Sequence, residues 1–371
     1  MKFVVTSDNL NAGLRRVMNA ISPKPQTPVM ANVLLEAKDG QLTLTGSDNE
    51  LRISTAVVAM VLDEGAITIQ AKKFGEIVGA LPAGDVTIEA LGDEENNVLL
   101  NCQKSKFSIH GVSATEYPQA EPFAEEWGFS IGGKELVDSL VRVSYARSDD
   151  ENRKALNGIL LSIRSGIRTF AASDGRRLAL VENNLESTDG NAPERDGEII
   201  LPFKAVTELI RSVDQSKAVV VHLTQSMVVF ENNVTTIRSK LVSGAYPNYR
   251  SVIPLNFARD IEIPRALFID VLKRISMVST TVDGSESVTL DFTPGQLLIS
   301  ASSSEYGEGS ETIDIAYEGE QLVICFNPRF LLDPIKTLTC DQFKMRLNDN
   351  MTPVELTGDP GFIYILMPMH L

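Results

Sequence analysis

The 371-residue chain is poor in the residues that usually carry chemistry. It has three histidines, His110, His222 and His370, and none sits in an HExxH, HxE or nucleophile-elbow setting. It has three cysteines, Cys102, Cys325 and Cys340, with no CxxC pair. An odd count without paired spacing points to reduced core thiols, not a disulfide frame or a zinc site. Aromatics are only 6% of the chain, although the hydrophobic share of 43% is that of an ordinary globular protein. No stretch approaches the ~18 consecutive apolar residues of a membrane span. The start, MKFVVTSDNL, turns polar by Thr6, too early for a secretory signal. The reading is cytoplasmic, with no membrane partner.

No Gly-rich phosphate loop follows a strand, because GEGSE near Gly307 lacks the lysine and the helix that a P-loop needs. The acidic runs Asp93 to Glu95 and Asp149 to Glu151 lack the spacing of a calcium loop and read as solvated tips. No cofactor, metal or catalytic constellation is expected.

Excess positive charge is also missing. The formal charge is −15, which on its face disfavours binding to nucleic acid. The acid is not evenly spread, however. Divided near residues 127 and 255, the chain carries Lys+Arg against Asp+Glu of 10 to 17, 16 to 15 and 8 to 17. The middle third is relatively basic.

What the chain does have is a long internal repeat. LLEAKDGQLTLTGSDN from residue 34, ILLSIRSGIRTFAASDG from 159 and VTLDFTPGQLLISASSS from 288 each read as strand, Gly-centred turn and strand, starting 125 and 129 residues apart. Helical periodicity recurs at the same interval: Leu10, Leu14, Val17, Met18 and Ile21; Leu136, Leu140 and Val143; Leu267, Val271 and Ile275. A shorter helix follows in each unit, at AKKFGEIVGAL, LPFKAVTELIRSV and FNPRFLLDPIKTL. Asn327 and Pro328 open the last as cap and first helical residue, while Pro334 should kink or shorten it. Alternating strands close every unit. The expected fold is α+β: three domains, 1–127, 128–255 and 256–371, each with two helices on antiparallel sheet.

The repeat, the hairpin SDGRRLAL at residue 173, the turn GAYPNYRSVIP at 244 and the ending YILMPMHL together resemble the bacterial DNA polymerase β sliding clamp family over the whole chain. The resemblance implies a head-to-tail homodimer whose six domains close into a ring around duplex DNA, with helices lining the hole. It implies a non-catalytic processivity subunit of the DNA polymerase III holoenzyme that tethers the replicative polymerase, the clamp loader and other clamp-motif proteins. A ring can be acidic outside and basic inside, and a sliding ring wants phosphate contacts without base readout. On that reading the helices present Arg15, Arg142, Lys204, Arg211, Lys273 and Arg274 to DNA. Lys24, Arg153 and Lys154 match further DNA-contact segments of the family, without the aromatics some relatives have beside the last two.

The same resemblance places an apolar groove for partner peptides. Its lining matches Leu156, Ser173, Gly175, Arg176, Arg177, Leu178, Pro247, Val252, Ile365, Leu366, Met367, Pro368 and Met369. Methionine suits a site that must accept different ligands. Three positions depart from the family pattern: Arg176 where histidine is common, Pro353 where a small polar residue is usual, and His370 where arginine is common. The dimer seam is expected to set Lys104, Lys106, Phe107 and Ile109 of one copy against Met277, Val278, Glu305, Glu308 and Glu311 of the other. The competing readings are a monomeric three-domain nucleic-acid scaffold that closes no ring and, more distantly, a hydrolase.

Overall fold

The structure is a computed structural model of the 371-residue chain. It describes all residues except 23–24, 26, 93–95, 186–195, 280–285 and 370–371, so Lys24, the Asp93 to Glu95 run and His370 lie outside the described residues.

The first repeat runs β1 (Lys2–Thr6), α1 (Ser7–Val17), β2 (Asn32–Lys38), β3 (Gln41–Ser47), β4 (Leu51–Val58), β5 (Met60–Asp63), β6 (Gly65–Gln70), α2 (Ala71–Gly79), β7 (Asp85–Ala90), β8 (Asn97–Cys102) and β9 (Ser105–Ser113). The second runs β10 (Trp127–Gly132), α3 (Gly133–Ser144), α4 (Lys154–Asn157), β11 (Gly158–Arg164), β12 (Ile167–Ser173), β13 (Arg177–Asn184), β14 (Gly197–Pro202), α5 (Phe203–Ser212), β15 (Ala218–Leu223), β16 (Met227–Asn232) and β17 (Thr235–Lys240). The third runs β18 (Arg259–Pro264), α6 (Arg265–Ser276), β19 (Val288–Thr293), β20 (Gln296–Ser303), β21 (Gly307–Asp314), β22 (Leu322–Phe326), α7 (Pro328–Thr337), β23 (Gln342–Leu347), β24 (Val354–Thr357) and β25 (Phe362–Leu366). Apart from the extra β5 and the single turn α4, the three orders coincide.

Local chemistry sets the helices. The Thr6 hydroxyl caps α1 by accepting from the Asn9 N–H at 3.3 Å, and the Gln70 side chain caps α2 by accepting from the Lys73 N–H at 2.7 Å. Leu10, Leu14 and Val17 are buried while Arg15 and Arg16 stay exposed, as the spacing predicts. In α6 the expected stripe is corrected. Leu267 is 45% exposed, and the buried face is Phe268, Val271, Leu272 and Ile275. Steps of four residues drift about 40° around a helix of 3.6 residues per turn, which leaves Leu267 beyond the edge of the stripe.

Pro334 lies inside α7, which continues to Thr337. Its missing N–H leaves the Phe330 carbonyl without a helical donor. The Tyr364 hydroxyl supplies one at 2.8 Å.

By contact density the chain falls into two compact units, Met1–Val137 with Lys204–Leu241, and Asp138–Phe203 with Val242–Leu371. The first holds a 13-stranded sheet in the order β10-β15-β16-β17-β4-β3-β2-β6-β9-β8-β7-β1-β5. The second holds an 8-stranded sheet, β14-β11-β12-β13-β25-β24-β23-β18, and a 4-stranded sheet, β21-β20-β19-β22. Two junctions join one repeat to the next by strand pairing. In the first unit β4 pairs antiparallel with β17, Leu51 opposite Ser239 and Thr55 opposite Thr235. In the second, β13 pairs antiparallel with β25, Arg177 opposite Leu366 and Val181 opposite Phe362.

The third equivalent pair is left open. Among the described residues, β21 pairs only with β20, and the stretch of β9 from Ser105 to His110 pairs only with β8.

Candidate functional site

The β11-β12-β13-β25 part of the second unit's sheet builds an apolar floor from Leu160, Ala171, Leu178, Leu180 and Ile365, all buried. Tyr246, Tyr249, Ile253 and Ile363 pack against it half-buried. Above the floor Val252 is 52% and Met367 43% exposed, Pro247 is exposed, and Leu156, Pro353, Pro368 and Met369 are half-buried. Large apolar side chains left this open beside a buried cluster form a surface that favours an apolar ligand. Leu366, assigned to the same lining, is 1% exposed and sits in the core of the sheet.

After β25 the backbone is held first by this sheet and then by β22 of the 4-stranded sheet. Met367 N–H donates to the Arg176 carbonyl at 3.0 Å, and Met369 N–H donates to the Cys325 carbonyl at 2.8 Å. Pro368 has no N–H to place between them, so the terminus leaves β25 without continuing the ladder.

The hairpin tip at one lip is tightly specified. Ser173 Oγ accepts from Gly175 N–H at 3.1 Å and donates to the Arg177 carbonyl at 2.8 Å. Asp174 Oδ1 accepts from the N–H groups of Arg176 at 2.8 Å and Arg177 at 3.0 Å. Gly175 holds φ +87°, a left-handed conformation that suits glycine. The two arginines of the tip part company. Arg176 is exposed, whereas the Arg177 side chain is 9% exposed.

Arg177 is therefore a structural anchor and not part of the groove surface. It binds Asp174 at 3.0 Å and Asp333 of α7 at 2.9 Å, donates to the Tyr145 carbonyl at 2.6 Å and lies 4.1 Å over the Phe330 ring. Burial alone would lower its pKa, but Tyr364, Asp333 and Asp174 outweigh that and raise it. It stays charged. Burial also pushes the phenols of Tyr364 and Tyr246 upward.

The expected DNA-facing cations differ in freedom. Arg15, Lys154 and Lys273 are exposed, and Arg211 is 57% exposed with Glu208 at 3.7 Å. Arg153 is exposed, 3.5 Å from Asp150, and its guanidinium lies over the hairpin tip, donating to the Asp174 carbonyl at 3.3 Å. Lys204 is paired with Asp48, and Arg274 with Glu311 at 2.6 Å. Arg142 is corrected. It forms a 2.5 Å ion pair with Asp359, which is 5% exposed and also accepts from Thr339 and Cys340, so it is spent on holding α3 to the turn before β25.

Of the expected seam residues, Lys104, Lys106, Glu305 and Glu308 are exposed. Phe107 is 39% and Met277 75% exposed, and Ile109, Val278 and Glu311 are half-buried. Sequence reasoning missed Tyr246, Tyr249 and Ile253 as groove wall, although YPNYRSVI carried the signal. It also missed Asp333, which nothing local ties to Arg177. No group of three or more metal-ligating side chains occurs among the described residues.

Models of the DNA polymerase III beta subunit match along the chain: the N-terminal domain over residues 1–121, the central domain over 130–248 and the C-terminal domain over 250–370. The chain belongs to the DNA polymerase III beta subunit family. It is 29% identical over 371 residues to the beta sliding clamp of Chlamydia muridarum, covering 100% of this chain and 99% of that one. It is 31% identical to that of Synechococcus elongatus, covering 100% of both. Among solved structures, it superposes on a Pseudomonas aeruginosa sliding clamp bound to griselimycin with TM-score 0.93, 28% identity and 100% coverage of both chains. The Bacillus subtilis clamp gives TM-score 0.92 and 26% identity, with 100% and 99% coverage. This beta subunit has three clamp domains and is a DNA sliding clamp, a processivity factor and not an enzyme. DNA and a DNA polymerase are its partners. No helix among the described residues is long and apolar enough to cross a membrane.

Proposed function

We propose that two copies of this beta subunit join head to tail, with domains 1–127, 128–255 and 256–371 in each, and close a cytoplasmic ring around duplex DNA. The observation that carries this is the pair of open strand edges. Within the chain, β4 meets β17 and β13 meets β25. The repeat predicts a third pairing of the same kind, β21 with β9, and among the described residues the outer edge of β21 and the free edge of β9 along Ser105 to His110 have no strand partner. A second copy satisfies both and, by symmetry, closes the ring. Exposed Lys104 and Lys106 would face Glu305 and Glu308, with Phe107, Ile109, Met277 and Val278 supplying the apolar contact.

Arg15, Arg153, Lys154, Arg211 and Lys273, with Lys24, are the proposed phosphate contacts. Lys204 and Arg274 join them from within ion pairs, and Arg142 serves DNA only by bracing α3. The groove over Leu178 and Ile365 takes an apolar peptide from the polymerase, the clamp loader or other partners, with Leu156, Ser173, Gly175, Arg176, Pro247, Val252, Pro353, Met367, Pro368 and Met369 around it. Arg177 and Leu366 support it from beneath. A monomeric scaffold fits less well, because it leaves both edges bare. Sedimentation equilibrium decides between the two: the ring requires a dimer of the 40.5 kDa chain, and a monomer at micromolar concentration contradicts it.

A further inference from the structure

The two strand junctions within the chain are built on one backbone frame. At the tip between β3 and β4, Asp48 Oδ1 accepts from the N–H groups of Glu50 at 2.8 Å and Leu51 at 2.7 Å, as Asp174 does between β12 and β13. Lys240 N–H then donates to the Glu50 carbonyl at 2.9 Å, just as Met367 N–H donates to that of Arg176. Tyr117 packs in one cluster with Leu34 as Tyr246 packs against that of Leu160, and a proline follows each tyrosine. The β4-β17 junction is thus the counterpart of the groove at β13-β25.

The side chains on the two frames differ in kind. Leu178 and Ile365 stand directly opposite each other across β13 and β25, and at the matching register of β4 and β17 stand Arg52 and Arg238. Like charges facing each other across a sheet oppose the pairing. A cavity of about 210 Å³ opens here, with Arg52, Arg238 and Lys240 in its lining.

Neither guanidinium has an acid of its own. Arg52 donates to the Pro118 carbonyl at 2.8 Å and lies 5.7 Å over the Tyr117 ring, while Arg238 donates to the Glu121 carbonyl at 2.6 Å and lies 5.3 Å over the Phe123 ring. Both are half-buried, and among the described residues neither has a carboxylate within ion-pair distance. Burial lowers the pKa of Arg52; Tyr117 and Glu36 oppose the shift, and Arg238 adds to it. The acids of the lining do not answer these charges. Asp48 pairs with Lys204, Glu121 lies 3.7 Å from Lys240, and Glu50 is exposed to water.

We infer that the β4-β17 junction is a second docking seat, in which Arg52 and Arg238 receive an acidic side chain from an extended segment of a partner protein. Guanidinium forks match carboxylate geometry, and an incoming carboxylate removes both the repulsion across the strands and the lack of a counter-ion. The volume of about 210 Å³ falls below the ~300–1,000 Å³ of sites that enclose a whole small molecule. It suits one side chain, with the rest of the segment lying along the exposed stretch Pro118–Glu121. The peptide character of the ligand rests on the groove reading given above, because the frame is shared. The charge preference does not.

The test titrates the full-length protein by calorimetry at low salt with a blocked peptide of alternating glutamate and leucine, and with the same peptide carrying glutamine for glutamate. The seat predicts saturable binding of the glutamate peptide at one site per chain and binding at least tenfold weaker for the glutamine peptide. Arg238→Gln should weaken the glutamate peptide about tenfold, the worth of a charge-assisted contact, whereas the exposed Arg329→Gln on α7 should not. Should Arg238→Gln melt early, Arg52→Gln on the facing strand reads the same seat. Equal binding of the two peptides, no saturable binding, or indifference to both arginine substitutions overturns the seat. A glutamate peptide weakened by Met367→Ala and not by Arg238→Gln sits in the groove and also overturns it. A Leu- and Phe-bearing peptide, whose affinity Arg238→Gln should leave unchanged, reports on the groove separately, so failure of the seat and failure of the groove reading are told apart.

Discussion

The Tyr364 hydroxyl donates at 2.8 Å to the carbonyl of Phe330, the group that Pro334 deprives of its helical N–H. Tyr364 is fully buried on β25, so the strand beneath the groove also completes α7. The same helix carries Asp333, the ion-pair partner of Arg177. Strand, helix and hairpin tip are thus tied together by two polar contacts.

Tyr364→Phe should lower stability by about 1–3 kcal/mol, because it leaves a buried carbonyl unsatisfied. Pro334→Ala restores the missing N–H, so in the Tyr364→Phe background it should recover most of the loss. Urea unfolding of the four proteins in this cycle measures it. Additive effects, with no recovery in the double variant, would show that the hydroxyl does not act through the Phe330 carbonyl.

Arg177→Met should destabilise the chain by about 3 kcal/mol, since it leaves Asp333 and Asp174 without their cation. Arg176→Ala, one residue away and exposed, should change stability by less than about 0.5 kcal/mol. Comparison of their unfolding midpoints is the check. Equal effects would contradict the assignment of anchor to one arginine and lip to the other.

Met367→Ala, or removal of residues 367–371, strips half-exposed apolar wall from the proposed groove. Apolar contact is worth about 25 cal/mol per Å², so a loss of some 60 Å² weakens partner peptide roughly tenfold. Calorimetry with a Leu- and Phe-bearing peptide reads it, and sedimentation should show the dimer unchanged. Full affinity in a folded truncation would move the groove elsewhere.

At the seam, Ile109→Asp, or Met277→Asp with Val278→Asp, should give a folded monomer that still binds peptide, because each places unpaired charge in the proposed contact. Added salt should only loosen the wild-type dimer, since exposed lysine–glutamate pairs are individually weak. A dimer persisting in the aspartate variants at low micromolar concentration would place the seam elsewhere.

How much of this could be read from the sequence depends on range. The hairpins at β2-β3, β11-β12 and β19-β20 and the Asn327 cap rest on local periodicity and turn chemistry and stand where the pattern put them, whereas α1 ends at Val17, short of the Met18 and Ile21 that the helical spacing had included. The pairing of β4 with β17 joins Thr55 to Thr235, and no short-range pattern announces a partner so far along the chain. Leu267 shows the limit of a stripe counted by fours. Arg142 and Arg177 show another: a basic residue reads as solvent-facing until its acid, Asp359 or Asp333, is seen in space. The extra strand β5 follows β4 after Ala59 alone, so nothing in its composition separates it from the preceding strand.

The ring itself is tested most directly by retention on DNA. Protein loaded onto a nicked circle should stay bound through moderate salt, where a chain of formal charge −15 has little electrostatic hold on DNA. Cutting the circle should then release it from the ends. Equal retention on circular and linear DNA at the same salt would contradict encirclement.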